Sequence, residues 1–403
     1  MIRLLLVTGF WPTEVNTISG IFVVQQVNAL ARAGAKLTVL VLSSYGRREP
    51  ILGLAQLGLE NSMVELIEVP ILRLPEAASS LPGAIRLNTM LCGISLNRYI
   101  RRSEFFDEFS GCIVHSVRYA GLSMPMWRGH ISGGMAIVIH GVDPFMAKSG
   151  NQQRVHSLIE RASLTTDAIV LVGSPLVSHA MSLRFPAQKL QVLANGTDLP
   201  SINTVSDIQR PLDQVRRILS VSNLLPLKGV DDNLRALASI ANTCPSLKWE
   251  YRVVGDGPYR GELEKLAADL GIRAKVEFLG RVAYDKTMQE IAESDVFSLP
   301  SWGEAFGIVY LEAMARMRPV IGCFDNGAAD IFSDDVEGRL VPPKDVPALA
   351  AALTQLICDP ALCSAMGQSG RATAETKSWD ANAKRMLGVL GIETTQEDVA
   401  RCN

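Results

Sequence analysis

The sequence predicts an α/β protein with two domains, each built on a doubly wound parallel sheet with helices on both faces. A chain of 403 residues is too long for one ordinary core and fits two. Short continuous apolar runs, the first at Ile2–Thr8, alternate with stretches of helical spacing, which is typical of strand–helix–strand units. Residues 199–215 are polar and aperiodic, so we expect them to link domains at 1–198 and 216–377.

Composition narrows the class of protein. Hydrophobic residues make up 48% and charged residues 20%, which indicates a soluble globular enzyme and not a disordered chain. The 39 basic and 41 acidic side chains nearly cancel, which does not favour a nucleic-acid partner, although residues 1–200 carry 17 basic against 13 acidic ones. The seven cysteines include no C-x-x-C pair, and no apolar run is long enough for a signal peptide or a membrane span. We therefore expect reduced thiols and a cytoplasmic location.

The first predicted element is the strand Ile2–Thr8, followed by a loop, a helix that begins at Gly20 and a second strand over residues 37–42. The turn lacks the G-x-G-x-x-G pattern, so a dinucleotide cofactor is not expected. A small residue at the start of a helix lets a phosphate approach the backbone, which makes Gly20 a candidate ligand-binding residue. The alternative is that Gly20 serves the turn alone.

Residues 82–109 are predicted to form a long helix in which arginines alternate with apolar residues. Two interpretations stand: an amphipathic basic helix that lies on an anionic membrane, or a helix that packs one face and solvates the other.

The next strand, residues 136–139, ends at His140. Ligands of open α/β sheets gather beyond the carboxyl ends of strands, so His140 is a candidate site residue. His115 also follows an apolar run; it either lines the same site or serves as a core or cap residue. The strand at 169–172 and the segment 191–198 complete the first domain.

The second domain is predicted to contain strands near residues 218–221, 251–254, 276–279, 295–299, 319–322 and 338–342, with helices at 262–270, 345–357 and 378–390. The stretch Leu299–Met314 contains the predicted anion-binding site of this domain. There an apolar strand ends at Pro300, a turn follows, and helical spacing begins at Ile308, so free N–H groups and the helix dipole favour an anion.

Two carboxylates flank that predicted anion site, Glu304 before the helix and Glu312 one turn inside it. A carboxylate beside a phosphate repels it, so each should face hydroxyl groups instead. A ligand with both phosphate and hydroxyl groups is a nucleotide sugar. The alternative is that one glutamate complements the helix dipole and the other is solvated.

The run Glu304-Ala305-Phe306-Gly307, then Glu312, Ala313-Met314-Ala315 and Pro319-Val320-Ile321, resembles the signature of the family 4 glycosyltransferases. These are retaining enzymes of the GT-B fold, in which two Rossmann-like domains face a central cleft. The resemblance implies that the second domain binds the nucleotide sugar, that the first domain meets the acceptor, and that the helix at 378–391 packs back on the first domain.

The resemblance also implies residue roles. Glu304 and His140 become candidate catalytic residues at the donor sugar, and Glu312 is placed for the ribose hydroxyls. The other candidate donor-binding residues are Gly20, Asn223, Lys228, Val282, Phe306, Gly307 and Ile308.

Three residues depart from the family pattern: Asn223 stands where many relatives have Arg, Met317 where they have Gly, and Asp330 where they have Glu. These departures favour one alternative, a catalytically weak GT-B partner subunit, whereas intact Glu304, Glu312 and Lys228 argue against it. A second alternative is another GT-B enzyme, such as a nucleotide-sugar epimerase. No D-x-D motif is present, so we expect no metal and no cofactor beyond the donor.

The expected reaction is transfer of a hexose from a nucleotide-diphosphate sugar to a glycan, lipid-linked or small-molecule acceptor. The setting implied is bacterial surface polysaccharide or glycoconjugate synthesis. If residues 82–109 form an amphipathic basic helix that lies on an anionic membrane, they also place the protein at the inner face of the membrane.

Overall fold

The computed structural model describes residues 2–44, 49–59, 63–74, 83–102, 109–143, 149–201 and 213–393, with side chains omitted for 149–154. The chain divides into two compact units. The first comprises Met1–Asn195 together with Trp379–Asn403, and the second comprises Gly196–Ser378.

The first unit is a parallel sheet of seven described strands in the order β3-β2-β1-β4-β5-β6-β7. The strands are β1 Ile2–Thr8, β2 Ala35–Ser44, β3 Val64–Ile71, β4 Gly111–His115, β5 Gly134–Ile139, β6 Ala168–Leu171 and β7 Leu190–Val192. The helices are α1 Ile21–Arg32, α2 Ala84–Ile100, α3 Ser149–Leu164 and α4 Leu176–Ser182.

The second unit is a parallel sheet of six described strands in the order β10-β9-β8-β11-β12-β13. The strands are β8 Arg216–Val221, β9 Trp249–Val254, β10 Val276–Gly280, β11 Val296–Ser298, β12 Val320–Cys323 and β13 Gly338–Val341. The helices are α5 Val230–Thr243, α6 Arg260–Asp269, α7 Tyr284–Glu293, α8 Ile308–Met314, α9 Val346–Cys358 and α10 Pro360–Thr376. A last helix, α11 Trp379–Val389, belongs to the first unit.

Each sheet reverses its strand order once, between β1 and β4 in the first unit and between β8 and β11 in the second. The loops that leave two such neighbouring strands diverge to opposite faces, and the gap between them is where ligands of open α/β sheets bind. The predicted two-sheet α/β architecture is confirmed, and these two reversals locate where a site can form in each unit.

The helix α11 packs on α1 through polar contacts. The Trp379 indole Nε1–H donates to Gln25 Oε1 at 3.0 Å, and Gln26 Nε2 donates to Asn382 Oδ1 at 2.7 Å. Trp379 and Asn382 are buried at this contact. Because buried polar groups need partners, these bonds fix the position of α11 on the first unit.

The structure differs from the sequence-based description at three places. The helix predicted over 82–109 ends at Ile100, and Phe109 is buried outside any helix, while 103–108 lie outside the described residues. The first domain was predicted to end at residue 198; the second compact unit begins at Gly196, and Thr197 N–H donates to Lys377 O at 3.1 Å. Finally, β3 was not predicted, since its glutamates interrupt the apolar run.

Within the predicted linker, residues 202–212 lie outside the described part of the chain. Among the described helices none is by itself long and apolar enough to cross a membrane; α9 and α10 reach that length only as a pair bent by 100°.

Candidate functional site

At the strand-order reversal of the second sheet, an ion pair joins two of the predicted site residues. The Lys228 ammonium lies 2.6 Å from Glu304 Oε2, and both side chains are about 15% exposed. Lys228 ends the loop after β8, and Glu304 lies in the loop after β11. The structure therefore brings together a cation and a carboxylate that are 76 positions apart in the sequence.

Polar contacts hold the loop that carries Glu304. Ser301 Oγ donates to Leu227 O at 3.1 Å, and Asn326 Nδ2 donates to Ser301 O at 2.7 Å. Gly327 N–H donates to Glu304 O at 3.0 Å. Three loops, after β8, β11 and β12, are thus tied together around the ion pair, which limits how far Glu304 can move.

The helix that follows Glu304 is short. α8 has seven residues and begins after Gly307, whose φ of 93° requires glycine. A Cβ at Gly307 would lie 2.6 Å from the Tyr310 ring. Phe306 is 2% exposed, so any role of Phe306 in ligand binding falls to its backbone, whereas Ile308 is half-buried.

Glu312 lies on α8 and is buried at 7% exposure. The Tyr284 hydroxyl donates to Glu312 Oε1 at 3.0 Å. Burial raises the pKa of Glu312 from 4.5 to about 7, and the Tyr284 hydrogen bond only partly opposes this. The carboxyl group is therefore poised to change protonation near neutral pH, which the sequence did not predict.

The other residues singled out in the second unit do not all lie at these strand ends, since Met317 precedes β12. Asn223 is exposed after β8 and Val282 is half-buried after β10. Met317 adopts a left-handed φ of 58°, which explains why a glycine suits that position. The Lys377 ammonium donates to the backbone oxygen of Asp330 at 3.3 Å.

In the first unit, the two histidines at strand ends form a pair. His115 Nδ1 lies 2.8 Å from His140 Nε2, so one ring donates an N–H to the other. Burial lowers the pKa of His140 to about 3, and burial together with His140 lowers the pKa of His115 well below its usual value. Both rings are neutral at pH 7, so neither supplies a positive charge to a bound phosphate.

A cavity of about 520 Å³ opens beside His140, at the carboxyl ends of β1 to β5. The Phe22 ring centroid lies 4.4 Å from that of His140, and the Phe10 ring meets the His140 ring edge-on. Gly20 is buried nearby with a φ of 72°, and a Cβ there would lie 2.4 Å from the Phe10 backbone carbon. Gly20 is required by this packing, whatever its role in binding.

Sequence reasoning missed several residues that shape these sites: Tyr284, Asn326, Phe10, Phe22, Arg73, Arg118 and Tyr119. Asn326 and Phe10 follow predicted strands and Tyr284 lies on a helix beside Glu312, whereas Arg73 follows β3, which was not predicted, and Phe22 lies in α1; only strand order places these residues together. In the described ranges no three His, Cys, Asp or Glu side chains converge to hold a metal ion. The absence of a metal requirement stays a prediction.

Comparison with known proteins gives the site its context. Residues 203–373 match the family described as "Glycosyl transferases group 1". A GDP-mannose-dependent alpha-(1-6)-phosphatidylinositol monomannoside mannosyltransferase of Mycobacterium tuberculosis is 32% identical over 249 residues, which cover 58% of this chain and 64% of that protein. The chain thus aligns with less than two thirds of this relative.

Two solved structures share the fold. Sucrose-phosphate synthase from Thermosynechococcus elongatus gives a TM-score of 0.72 at 20% identity and covers 96% of this chain and 98% of its own. Anabaena Alr3699/HepE, solved in complex with UDP, gives 0.72 at 18% identity, covering 97% and 100%. Residues 203–373 are therefore similar to the group 1 glycosyltransferases, and the chain shares the GT-B fold of these solved structures.

Proposed function

We propose that this protein is a retaining glycosyltransferase that moves a hexose from a nucleotide-diphosphate sugar to a glycan, lipid-linked or small-molecule acceptor. The observation that carries the proposal is the Lys228–Glu304 ion pair at the strand-order reversal, followed by buried Glu312 on α8. A GDP-mannose-dependent relative and a neighbour solved with UDP support a donor of this class. Synthesis of bacterial surface polysaccharide or glycoconjugate at the cytoplasmic face of the membrane is the setting we assign.

The Lys228 ammonium binds the donor diphosphate. In the structure the ammonium donates a hydrogen bond to Glu304, so a bound diphosphate competes for the ammonium and frees the carboxylate. When the sugar–phosphate bond breaks, negative charge grows on the leaving diphosphate, and a fixed ammonium stabilises that charge more than it stabilises the ground state. Backbone N–H groups at Gly307 and Ile308 add to this, with no side-chain charge from Asn223.

The freed Glu304 carboxylate faces the sugar ring, which gains positive charge as the bond breaks. Its contribution is greatest in the transition state, and we do not assign it a covalent bond to the sugar. His140 is assigned to the donor sugar as a neutral hydrogen-bonding group, since its low pKa rules out a cationic ring at pH 7. Glu312 is assigned to the ribose hydroxyls.

A thermal-shift screen of nucleoside diphosphates tests the proposal. A ligand present at 100 times its dissociation constant raises the unfolding free energy by about 2.7 kcal/mol, so a correct base gives a clear shift. Lys228→Gln should remove most of the shift, whereas Lys265→Gln, at an exposed position on α6, should not. If no nucleoside diphosphate or nucleotide sugar stabilises the protein, the proposal fails.

A transfer assay with the stabilising donor then separates the alternatives. Anomeric NMR of the product should show retained configuration. Tight donor binding with no transfer to any acceptor would favour the partner-subunit alternative, for which the uncharged, exposed Asn223 is the supporting observation. Release of an epimerised nucleotide sugar would favour the epimerase alternative.

The membrane contact has its own structural support in α2. Its buried side includes Ile85, Cys92 and Leu96, while Leu87, Met90 and Ile94 are 39%, 46% and 52% exposed on the opposite side. Exposed arginines flank this apolar stripe: Arg86, Arg98, Arg101 and Arg102. Apolar side chains that insert between headgroups, bordered by cations, suit an anionic bilayer surface.

We therefore propose that the exposed side of α2 binds anionic membranes. Flotation with vesicles containing phosphatidylglycerol should show binding that fades as salt rises. Reversal of Arg98, Arg101 and Arg102 to Glu should abolish it, whereas reversal of three exposed cations elsewhere, Arg161, Lys265 and Lys384, should not. Equal loss in both triple variants would contradict a specific role for α2.

A further inference from the structure

Apart from His140, the ring and arginine side chains that line the cavity of the first unit take no part in the donor site proposed here. It measures about 520 Å³, within the range of small-molecule sites, and lies beside the reversal between β1 and β4. Its walls come from the loops after β1, β3, β4 and β5. A ligand there would meet groups from four strand ends at once.

One part of the lining is aromatic. The rings of Phe10 and Phe22 lie 5.8 Å apart between centroids, and both contact the His140 ring. Flat apolar rings with one neutral hydrogen-bonding ring suit the apolar face of a sugar or cyclic polyol.

The other part of the lining is cationic. The guanidinium carbons of Arg118 and Arg73 lie 5.4 Å and 6.0 Å from the centroid of the same Tyr119 ring. The shared ring therefore holds both cations at one end of the cavity.

The charges of this lining do not cancel. Arg118 Nε lies 3.2 Å from Asp143 Oδ2, whereas Arg73 forms no ion pair with any described residue. His140 is neutral because burial lowers its pKa to about 3. Two arginines against one aspartate leave the described lining with an excess positive charge beside a cavity, which favours an anionic ligand.

The backbone adds evidence that this arrangement is specific. Tyr119 has φ 68° and ψ −71°, a conformation that is rare and strained for a residue with a side chain. The strain is held by hydrogen bonds on both sides, from Gly121 N–H to Ser116 O at 3.0 Å and from Ser123 N–H to Tyr119 O at 2.9 Å. Holding the Tyr119 ring beside the two guanidinium groups therefore costs the protein some stability.

We infer that this cavity binds the acceptor and that the acceptor carries an oxyanion, such as a phosphate ester, next to the hydroxyl-bearing ring that is glycosylated. Arg73 binds the oxyanion, with Arg118 beside it, and the aromatic rings hold the sugar or polyol. The inference rests on the proposed transferase function and names its acceptor class. Arginine suits this task because its planar guanidinium donates two parallel hydrogen bonds to one phosphate.

The same oxyanion can belong to a soluble phosphorylated polyol or to the headgroup of a phospholipid. A matched pair of probes tests the shared chemistry: myo-inositol 1-phosphate and its neutral counterpart, myo-inositol. Titration followed by ligand-observed NMR on the full chain should show the phosphate ester binding at least tenfold more tightly. The preference should weaken as salt rises, because part of the site is exposed.

Arg73→Gln should remove most of this preference while the protein still binds its nucleoside diphosphate with unchanged affinity. Arg161→Gln, an equal loss of charge at an exposed position on α3 outside the cavity, is the matched control and should change nothing. Equal binding of the two probes, no binding of the phosphate ester at 20 mM, or an intact preference in Arg73→Gln would each overturn the inference.

A competition arm identifies the source of the oxyanion. Displacement of the soluble probe by vesicles containing phosphatidylinositol, but not by pure phosphatidylcholine vesicles, supports a lipid headgroup. Displacement by soluble phosphate esters alone supports a soluble acceptor. Failure of the proposed transferase function would look different, since the protein would then bind the phosphate ester normally but no nucleoside diphosphate.

Discussion

Both units use the same backbone device where their sheets reverse strand order, and they surround it with different chemistry. Gly20 before α1 and Gly229 before α5 have φ values of 72° and 67°. A Cβ on Gly20 would lie 2.4 Å from the Phe10 backbone, and one on Gly229 would lie 2.3 Å from Pro300 O. Gly20 and Phe10 both lie in the loop after β1. Gly229 follows β8, whereas Pro300 lies in the loop after β11.

The surroundings differ in charge and in space. In the first unit, aromatic rings and arginines enclose a cavity. In the second, hydrogen bonds and the Lys228–Glu304 ion pair tie three loops together. Equivalent sheet topology therefore selects where a ligand binds, and the loop residues select what it is, which is why fold alone does not assign function.

The largest effect is expected from a substitution in the Lys228–Glu304 ion pair of the second unit. Glu304→Gln keeps the size of the side chain but removes its charge, so it should lower kcat by about 100-fold to 1,000-fold, the usual cost of one electrostatic group acting in the transition state. Nucleoside diphosphate affinity should not fall, because the diphosphate no longer competes with a carboxylate for the Lys228 ammonium. Steady-state kinetics and calorimetry measure the two quantities.

Glu264→Gln is the control for Glu304→Gln, because Glu264 forms only a surface ion pair with Arg260 on α6. If Glu304→Gln loses nucleotide affinity and keeps kcat, our assignment of Glu304 to the sugar is wrong.

The second prediction tests whether the two glycines are equivalent. Gly20→Ala and Gly229→Ala each force a side chain into a left-handed conformation against the backbone, so each should cost about 2 to 5 kcal/mol of unfolding free energy. Gly261→Ala is the control, since nothing lies within 4 Å of a Cβ there. Urea unfolding measures the change in unfolding free energy. A loss below 0.5 kcal/mol at either position would show that this position does not require glycine.

The third prediction concerns the buried carboxyl group of the second unit. The folded-state pKa of Glu312 is raised to about 7 from 4.5, so the stability that it contributes is present below pH 4.5 and lost as the pH rises through 7. Glu312→Gln should therefore gain up to about 3 kcal/mol relative to the wild type between pH 4.5 and pH 8. Unfolding at the two pH values measures this; a pH-independent difference would contradict it.

The same carboxyl group links protons to nucleotide binding. Ribose hydroxyls donate to the ionised form, so binding should release protons near pH 7, which calorimetry in buffers of different ionisation enthalpy detects. Glu312→Gln should abolish the release and raise KM more than it lowers kcat. Proton release that persists in the variant would assign it to another group.

The smallest expected effect is at a residue that departs from the family pattern. Met317 is left-handed, so Met317→Gly should relieve strain and raise the unfolding free energy by about 1 kcal/mol. Met317→Ala retains the Cβ and should not gain. Equal gains from glycine and alanine would show that the methionine side chain, and not its backbone, is the source of the cost.

The sequence by itself determined the two-sheet architecture and most strands, because continuous apolar runs bounded by turns have few other structures open to them. It also placed Lys228, Glu304 and His140 just after strands. It failed where the local pattern outlasts the element: residues 82–109 were predicted as one helix, yet α2 ends at Ile100, because arginines and apolar residues continue to alternate in the sequence beyond that point.

Only the tertiary structure decided which strand ends are neighbours. Strand order joined Lys228 to Glu304 and His115 to His140, and it gathered Arg73, Arg118 and Tyr119 around one cavity. It also buried Glu312 and thereby raised its pKa. Pairing between distant strands depends on long-range packing that no local pattern encodes. The sequence therefore shows which residue types are present, whereas the fold decides their partners, their burial and their protonation.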